Sequence, residues 1–338
     1  MNNVIFIGLV SFFADLSTEM VYPLIPLYLT TVFGATPALI GVIEGIAESL
    51  ASLLRVFSGY ITDKYRKKKP VAFVGYAAGL VYKLALIIAG SWLGILAARL
   101  IDRFGKGIRT APRDVLVSES CDADKLGYSF GIHKALDMAG SAAGILIAFF
   151  IMTAWKGEYA YKQLFLLSCI PAIASLFMFI FVRETVERCA VSEPLHIVQG
   201  LKNLDGRLKL YLAVVFLFTL GNSSNVFLLL KAGNVGFDPA SVVLLYFLYN
   251  IVSSLFAVPF GKRSDRIGRK RLLVAGYLTF AIAYTGFAWA PNKTIIIAAF
   301  ALYGIFTAMT AGVERAFVSE IAPKELKGTM LGLHSTIV

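Results

Sequence analysis

Apolar runs long enough to cross a bilayer, about 20 residues each, follow one another along this 338-residue chain with short polar joints between them. Ten are complete, at 3–31, 36–60, 71–90, 92–112, 128–154, 162–182, 210–230, 239–260, 272–290 and 294–313, numbered here spans 1 to 10. In lipid every backbone polar group must find its partner within the protein, which leaves helices or closed barrels. A barrel needs alternating strands of about ten residues, so runs of this length are expected to be helices. The expected fold class is therefore an all-α polytopic membrane protein. A 58% hydrophobic and 16% charged composition, with mean hydropathy +0.74, excludes an ordinary soluble domain. The first segment has neither a basic leader nor a small-residue cleavage site and is read as a retained span.

One joint is longer. Residues 183–209, rich in Glu, Arg and Lys, are expected to be a cytoplasmic linker. It separates residues 1–182, holding six spans, from residues 210–338, holding four spans and, at 328–338, the opening of an eleventh. The chain is thus expected to stop a turn or two into that eleventh helix.

The net charge of +11 suggests nucleic acid until its distribution is examined. With the N-terminus inside, 23 of the 32 Lys and Arg lie in inner joints, and five within spans. Lys156, Lys162, Lys231 and Lys293 alone lie in outer joints. That asymmetry is the positive-inside rule, and it places the chain in a bacterial or archaeal cytoplasmic membrane with no nucleic-acid partner. Cys121, Cys169 and Cys189 show no metal or pairing spacing, and His133, His196 and His334 are scattered. No metal, no cofactor and no enzymatic constellation is expected.

The chain repeats itself. Gly59-Tyr-Ile-Thr-Asp63-Lys64, after which five positive charges fall in six residues (64–69), returns 202 residues later as Gly261-Lys-Arg-Ser-Asp265-Arg266. Ser118-Glu119, Gly127, Gly131 and His133 return at an offset of 201 as Ser319-Glu320, Gly328, Gly332 and His334. Two offsets one residue apart identify an internal duplication.

Charges inside the spans are the candidate functional residues. Asp15 and Glu19 in span 1 each cost about 2.5–3.5 kcal/mol at the bilayer centre. Four residues apart, they share one helix face, which must look into the protein or a wet cavity. They are read as a proton or cation site, the bland alternative being a structural salt bridge. Pro23 and Pro26 are expected to bend the outer half of that span. Span 2 repeats the spacing with Glu44, expected near the outer rim, and the deeper Glu48. Lys83 in span 3 is expected to snorkel and serve structure. Span 4 carries a stripe of Arg99, Asp102, Arg103 and Lys106; Lys106, Arg109 and Arg113 are expected to reach the cytoplasmic face. In span 5, Lys134 and Asp137 can neutralise each other, Gly131, Gly140 and Gly144 suit close helix packing, and His133 is read as structural. Asn225 stands in span 7 opposite Glu19, and Asn250 stands in span 8 opposite Glu48. Ionisable chemistry is thus expected in the first half and neutral hydrogen bonding in the second.

These residues carry a family resemblance. Gly59…Asp63-Lys64 and Gly261…Asp265-Arg266-Ile-Gly268-Arg269-Lys resemble the signature loops between helices 2–3 and 8–9 of the major facilitator superfamily. The second copy fits G-x-x-x-D-R-x-G-R-K, whereas the first has Arg66 where the pattern has glycine. Arg99-Leu-Ile-Asp102-Arg103 is similar to the helix-4 motif, whose arginine is linked to proton transfer; Asp102 and Arg103 replace its usual glutamine and glycine. Gly131, Gly140 and Gly144 have the spacing of the helix-5 antiporter motif, with Ile145 in place of its proline. The acidic span 1 is similar to that of proton-coupled multidrug exporters.

The resemblance implies two pseudo-symmetric helical bundles around a central cavity opened alternately to each side, in a monomer. The expected activity is proton-coupled efflux of a small hydrophobic or cationic compound. Asp15, Glu19 and Glu48 would bind the proton or cation, and Arg99 and Asp102 would tune them. Glu44, Arg103, Asn222, Asn225, Tyr246 and Asn250 would face the substrate. Gly59, Asp63, Lys64, Gly261, Asp265, Arg266, Gly268 and Arg269 would form the gating loops, with Asp63 latching onto the start of span 11. One alternative is transport of an organic anion or phosphorylated metabolite on the span-4 cations. The other is a truncated, non-transporting membrane protein or sensor.

Overall fold

The computed structural model describes residues 2–155, 157–184, 205–223 and 225–338, and those residues contain helices and turns but no strand. In the first half α1 is Asn2–Glu19, α2 Ile25–Phe33, α3 Pro37–Tyr65, α4 Lys68–Ile88, α5 Trp92–Glu119, α6 Leu126–Ala154 and α7 Gly157–Ile180. In the second half α8 is Gly206–Gly221, α9 Asn225–Asn234, α10 Pro239–Ile267, α11 Arg269–Trp289, α12 Lys293–Ile321 and α13 Lys327–Ile337. Among the described residues, seven helical stretches are long and apolar enough to cross a membrane. The expected spans 2 and 4 fall on α3 and α5, span 7 on α8 with α9, and the opening of span 11 on α13. Of the 183–209 linker, 185–204 lie outside the described residues.

Local chemistry sets the helix starts. Thr36 and Ser91 accept from the N–H groups of Leu39 (3.3 Å) and Gly94 (3.2 Å), capping α3 and α5. Their repeat counterparts Asp238 and Asn292 cap α10 and α12 the same way, through Ser241 (3.2 Å) and Ile295 (3.1 Å). The duplication therefore extends to where each helix begins.

Several boundaries differ from expectation. The basic joints are shorter: α3 runs on to Tyr65 and α4 begins at Lys68, so Asp63 and Lys64 form a last helical turn rather than a loop. The turn is possible because Arg66 adopts a left-handed conformation, φ 52° and ψ 23°, which stops the helix within one residue. Gly268 does the same work in the second copy at φ 94°. Left-handed backbone costs a residue with a Cβ about 1–2 kcal/mol. Arg66→Gly is accordingly expected to raise the thermal melting point of the purified protein, and an equal or lower melting point would show that Arg66 compensates through its own contacts.

Span 1 bends where its prolines stand, through a 3-10 turn at Tyr22–Leu24. Span 7, expected as one helix, is broken as well. Asn222 and Ser223 are small polar residues that compete for backbone partners. There Tyr284 Oη accepts the Ser223 N–H (3.1 Å) and donates to Asn222 Oδ1 (3.0 Å), which replaces the helical bonds.

Glycines set the helix crossings. A Cβ on Gly140 would lie 2.2 Å from the Phe12 carbonyl oxygen and one on Gly144 2.5 Å from that of Leu16, so α6 packs backbone to backbone on α1. The two chain halves meet the same way. α3 crosses α13 at Gly59, Gly328 and Gly332, and α6 crosses α10 at Gly127, Gly131 and Gly261. Outward, Leu53, Ile88, Leu217, Leu255 and Trp289 are left exposed, an apolar girdle suited to lipid.

Candidate functional site

At the end of the molecule where α3 stops and α13 starts, the Asp63 carboxylate caps the N-terminus of α13. It accepts from Gly328 N (2.8 Å), Thr329 N (2.7 Å) and Thr329 Oγ1 (2.7 Å). Across the pseudo-symmetry, Asp265 caps α6, accepting from Gly127 N (2.8 Å) and Tyr128 N (2.7 Å). Helix N-termini leave such N–H groups without intrahelical partners and carry a partial positive charge. Each contact joins the first half of the chain to the second. Arg269 donates to Asp265 at 3.0 Å and pairs with Glu320. Its counterpart Lys68 pairs with Glu119 at 2.7 Å. Lys64 and Arg266, expected in the gating loops, are exposed: their side chains point to solvent, and Lys64 stacks only on its neighbours Tyr60 and Tyr65.

Behind these latches lies a cavity of about 440 Å³ between the two halves. Its first-half wall is charged. Asp15 and Glu19 from α1 face Asp102, Lys106 and Arg109 from α5, with Lys134 and Asp137 from α6. Asp15 Oδ1 lies 3.8 Å from Arg109 Nη2, and Asp137 lines the same wall. Asp137 also accepts from Lys134 at 2.9 Å, the pairing their spacing foretold. Glu19 Oε2 is buried without a hydrogen-bond partner among the described residues. Arg109 and Arg113, expected at the cytoplasmic face, are instead buried, because α5 continues to Glu119 and keeps its charges pointed inward.

Beside the cavity the span-4 stripe is neutralised by α3. Arg99 is fully buried and forms a bidentate pair with Glu44 (2.8 and 2.5 Å) plus a 3.2 Å bond to Asp102. Arg103 lies 3.4 Å from Glu48 and 3.8 Å from Glu44, and Glu48 accepts from Arg55 at 2.7 Å. The bend in span 1 drops the Tyr22 ring onto both guanidinium groups, 5.0 Å from Arg99 and 5.3 Å from Arg103. Glu44 is thus met by two arginines at the centre of this network. Neither Glu44, Arg99 nor Arg103 lines the cavity, whereas Glu48 and Asp102 do. Lys83 does not snorkel: it is buried and donates to Thr18 Oγ1 at 3.3 Å.

The second-half wall is aromatic and hydroxylated, with Phe218, Tyr249, Tyr303, Phe306 and Thr307 beside Asn222. Asn222 reaches the cavity; the other expected residues stand behind its wall. Asn225 accepts from the Tyr303 hydroxyl at 3.0 Å and so orients a wall residue. Asn250 is buried and spends its amide on the Tyr246 carbonyl, 2.8 Å away on its own helix. Tyr246 stacks behind Tyr249, ring centroids 5.9 Å apart. A helical residue's side chain faces one direction only, and polarity in a span does not say which.

Sequence reasoning overlooked the floor of the cavity, built near the latched end from Arg113, Glu314, Arg315 and His334, with Asp114 buried behind it. Arg315 Nε lies 3.3 Å from Asp114 Oδ2, an ion pair across the halves. The signal was present: at the offset of 201, Arg113-Asp114 aligns with Glu314-Arg315, the same dipeptide position with its charges reversed.

Comparison with known proteins agrees with this architecture. An uncharacterized MFS-type transporter of Methanocaldococcus jannaschii is 36% identical over 342 aligned positions, covering 99% of this chain and 84% of that one. The fosmidomycin resistance protein of Escherichia coli is 24% identical, covering 94% of this chain and 78% of its own length. The solved structure of a proton:xylose symporter superposes with a TM-score of 0.74 at 18% identity, over 99% of this chain and 84% of that one. The sequence model of the Major Facilitator Superfamily matches residues 7–338. Twin carboxylate-capped helices, a cavity between two repeated halves and a family match over nearly every residue lead to one conclusion: this chain belongs to the Major Facilitator Superfamily of membrane transporters.

Proposed function

We propose that this chain exports a small, flat hydrophobic or cationic compound across a cytoplasmic membrane in exchange for protons, by alternating access of two bundles, residues 1–182 and 210–338. One observation supports the proton coupling: the Asp15, Glu19 and Asp137 carboxyls line one wall of the cavity. Carboxyls crowded on one partly desolvated wall are groups on which a proton can be held or released. Glu19, four residues along the same face and without a hydrogen-bond partner at Oε2, is a second acceptor for a proton or a bound cation. The ring-lined wall opposite offers stacking surface for a flat substrate.

The charge asymmetry of the joints makes the latched end cytoplasmic, and the structure is then a state closed to the cytoplasm. The relatives' names support efflux, as the fosmidomycin resistance protein shows a resistance role in one of them.

The test is accumulation of ethidium, a flat lipophilic cation, in proteoliposomes with an imposed pH gradient. Asp15→Asn is expected to lower gradient-driven accumulation at least about tenfold, in line with loss of a general proton acceptor. Glu19→Gln is expected to lower it as well. Gradient dependence that survives both substitutions unchanged removes these carboxylates from the coupling.

One observation favours the organic-anion reading. Lys106 lines the cavity and makes no ion pair among the described residues, while Arg99, Arg103 and Arg109 each have a carboxylate within 4 Å. Fluorescein accumulation that is lost in Lys106→Gln, with ethidium excluded, would establish that reading instead.

A further inference from the structure

The first half was expected to hold the ionisable chemistry, yet the second half carries a buried carboxylate and a histidine facing each other on the cavity floor. Glu314 Oε2 lies 3.5 Å from His334 Nε2, and both residues are less than a tenth exposed. Glu314 Oε1 accepts from the Tyr277 hydroxyl at 2.9 Å, which holds the carboxylate in place. The Tyr211 ring lies parallel to the imidazole, 6.0 Å between centroids, with its hydroxyl 3.4 Å from Nε2. His334 Nδ1 is buried and has no hydrogen-bond partner. The imidazole is thus held on one edge against a carboxylate, and its other nitrogen is buried without a partner among the described residues.

The duplication supplies an internal control. His133 occupies the matching position in the first half, and Tyr76 matches Tyr277. However, where the second half has Glu314, the first has Arg113, and that guanidinium is a charged neighbour of His133. His133 Nε2 instead contacts the Ser11 hydroxyl at 2.9 Å, a neutral partner. One histidine is therefore set against a carboxylate and its twin against a neutral hydroxyl. A charged acceptor holds an imidazole N–H more strongly than a neutral hydroxyl does.

We propose that Glu314 and His334 form a second proton-binding pair, carried by the second half of the chain. This rests on the proton-coupled reading above and adds a site to it. A single proton is taken up on the imidazole, whose Nε2–H then donates to Glu314 Oε2; on its release Nε2 becomes an acceptor within reach of the Tyr211 hydroxyl. The other charged groups packed around the pair are Arg55 from α3, Arg113 and Asp114 from α5, and Arg315 on α12. Arg113 and Arg315 share Asp114 (2.9 and 3.3 Å). Arg55 donates to Glu48 and to the Ser335 carbonyl (2.7 and 2.8 Å), so each of the three cations already has an acceptor. Arg315, next in the chain after Glu314, holds the ion pair between the halves, so the pair sits where a change of charge meets the closed end of the cavity.

The test is nitrogen-15 NMR of the full-length purified protein labelled at histidine, which has three residues to resolve. His133→Gln and His196→Gln assign the signals. Glu314→Gln is expected to weaken proton binding at His334 at least about tenfold. Should Glu314→Gln not fold, Tyr277→Phe is the second variant; without the donated hydroxyl the carboxylate attracts the proton more strongly, and His334 is expected to titrate at higher pH. The proposal is overturned if neither variant moves His334. The measurement needs no substrate or gradient. If His334 titrates as expected while ethidium accumulation ignores the pH gradient, the pair stands and the transport reading falls. If His334 fails to titrate while Asp15→Asn abolishes gradient dependence, the pair falls and the transport reading stands.

Discussion

Asp63→Asn is expected to open the latched end. The carboxylate meets two backbone N–H groups and one hydroxyl at 2.7–2.8 Å at the start of α13. An asparagine offers one acceptor where the carboxylate offers two, turns an amide N–H toward a backbone N–H, and removes the negative charge from a helix N-terminus. Hydrogen bonds to charged groups contribute about 1.5–3 kcal/mol each, and the asparagine retains part of the set, so a net loss of about 2 kcal/mol is a fair magnitude. That shifts the balance between latched and open states about thirtyfold. A cysteine placed at Ala311, on the cavity lining, reports it. A membrane-impermeant maleimide added from the basic end should label Ala311→Cys more than tenfold faster in the Asp63→Asn background. Equal rates would mean that the latch does not hold the end shut.

Gly59→Ala and Gly261→Ala are expected to act in the same direction through sterics alone. A Cβ on Gly59 would lie 2.2 Å from the Gly328 carbonyl oxygen, and one on Gly261 would lie 2.3 Å from that of Gly127. Both obstructions are backbone, which cannot rotate aside as a side chain can, so the helices must separate. Overpacking of this kind costs about 1–3 kcal/mol, and it falls only on the state in which the crossings are closed. The two crossings share no partners, so the double variant should show nearly the summed effect. Gly41→Ala, with open space at its Cβ, is the control and should leave labelling unchanged. If the three variants label alike, the crossings are not what closes that end.

Much of this was legible in the chain. Run length, the need to satisfy backbone groups in lipid and the position of each Lys and Arg are properties of the sequence alone, and they yield helices, their order and a basic end. The family resemblance set Asp63 against the start of span 11, and the repeat at 201–202 residues matched Asp63 with Asp265. Lys134 and Asp137 pair because three-residue spacing on a helix leaves them adjacent. Arg66 shows the limit of pattern matching: it lacks the glycine of the second copy, yet its backbone takes the left-handed turn regardless.

Which way each polar side chain faces was decided by the assembly of helices. Arg99 and Asp102 lie in one stripe, but only the approach of α3 decides that Glu44 closes over Arg99 and leaves Asp102 on the cavity. Asn250 and Glu48 occupy matching positions in the repeat, yet one bonds within its own helix and the other joins an ion network. Glu314 and His334 are 20 residues apart on separate helices, and no periodicity connects them. Chain connectivity dictates what is near along a helix. Ion pairs, stacked rings and carboxyl contacts between helices depend on how far each helix is rotated about its own axis, and that rotation is set by packing the whole bundle at once.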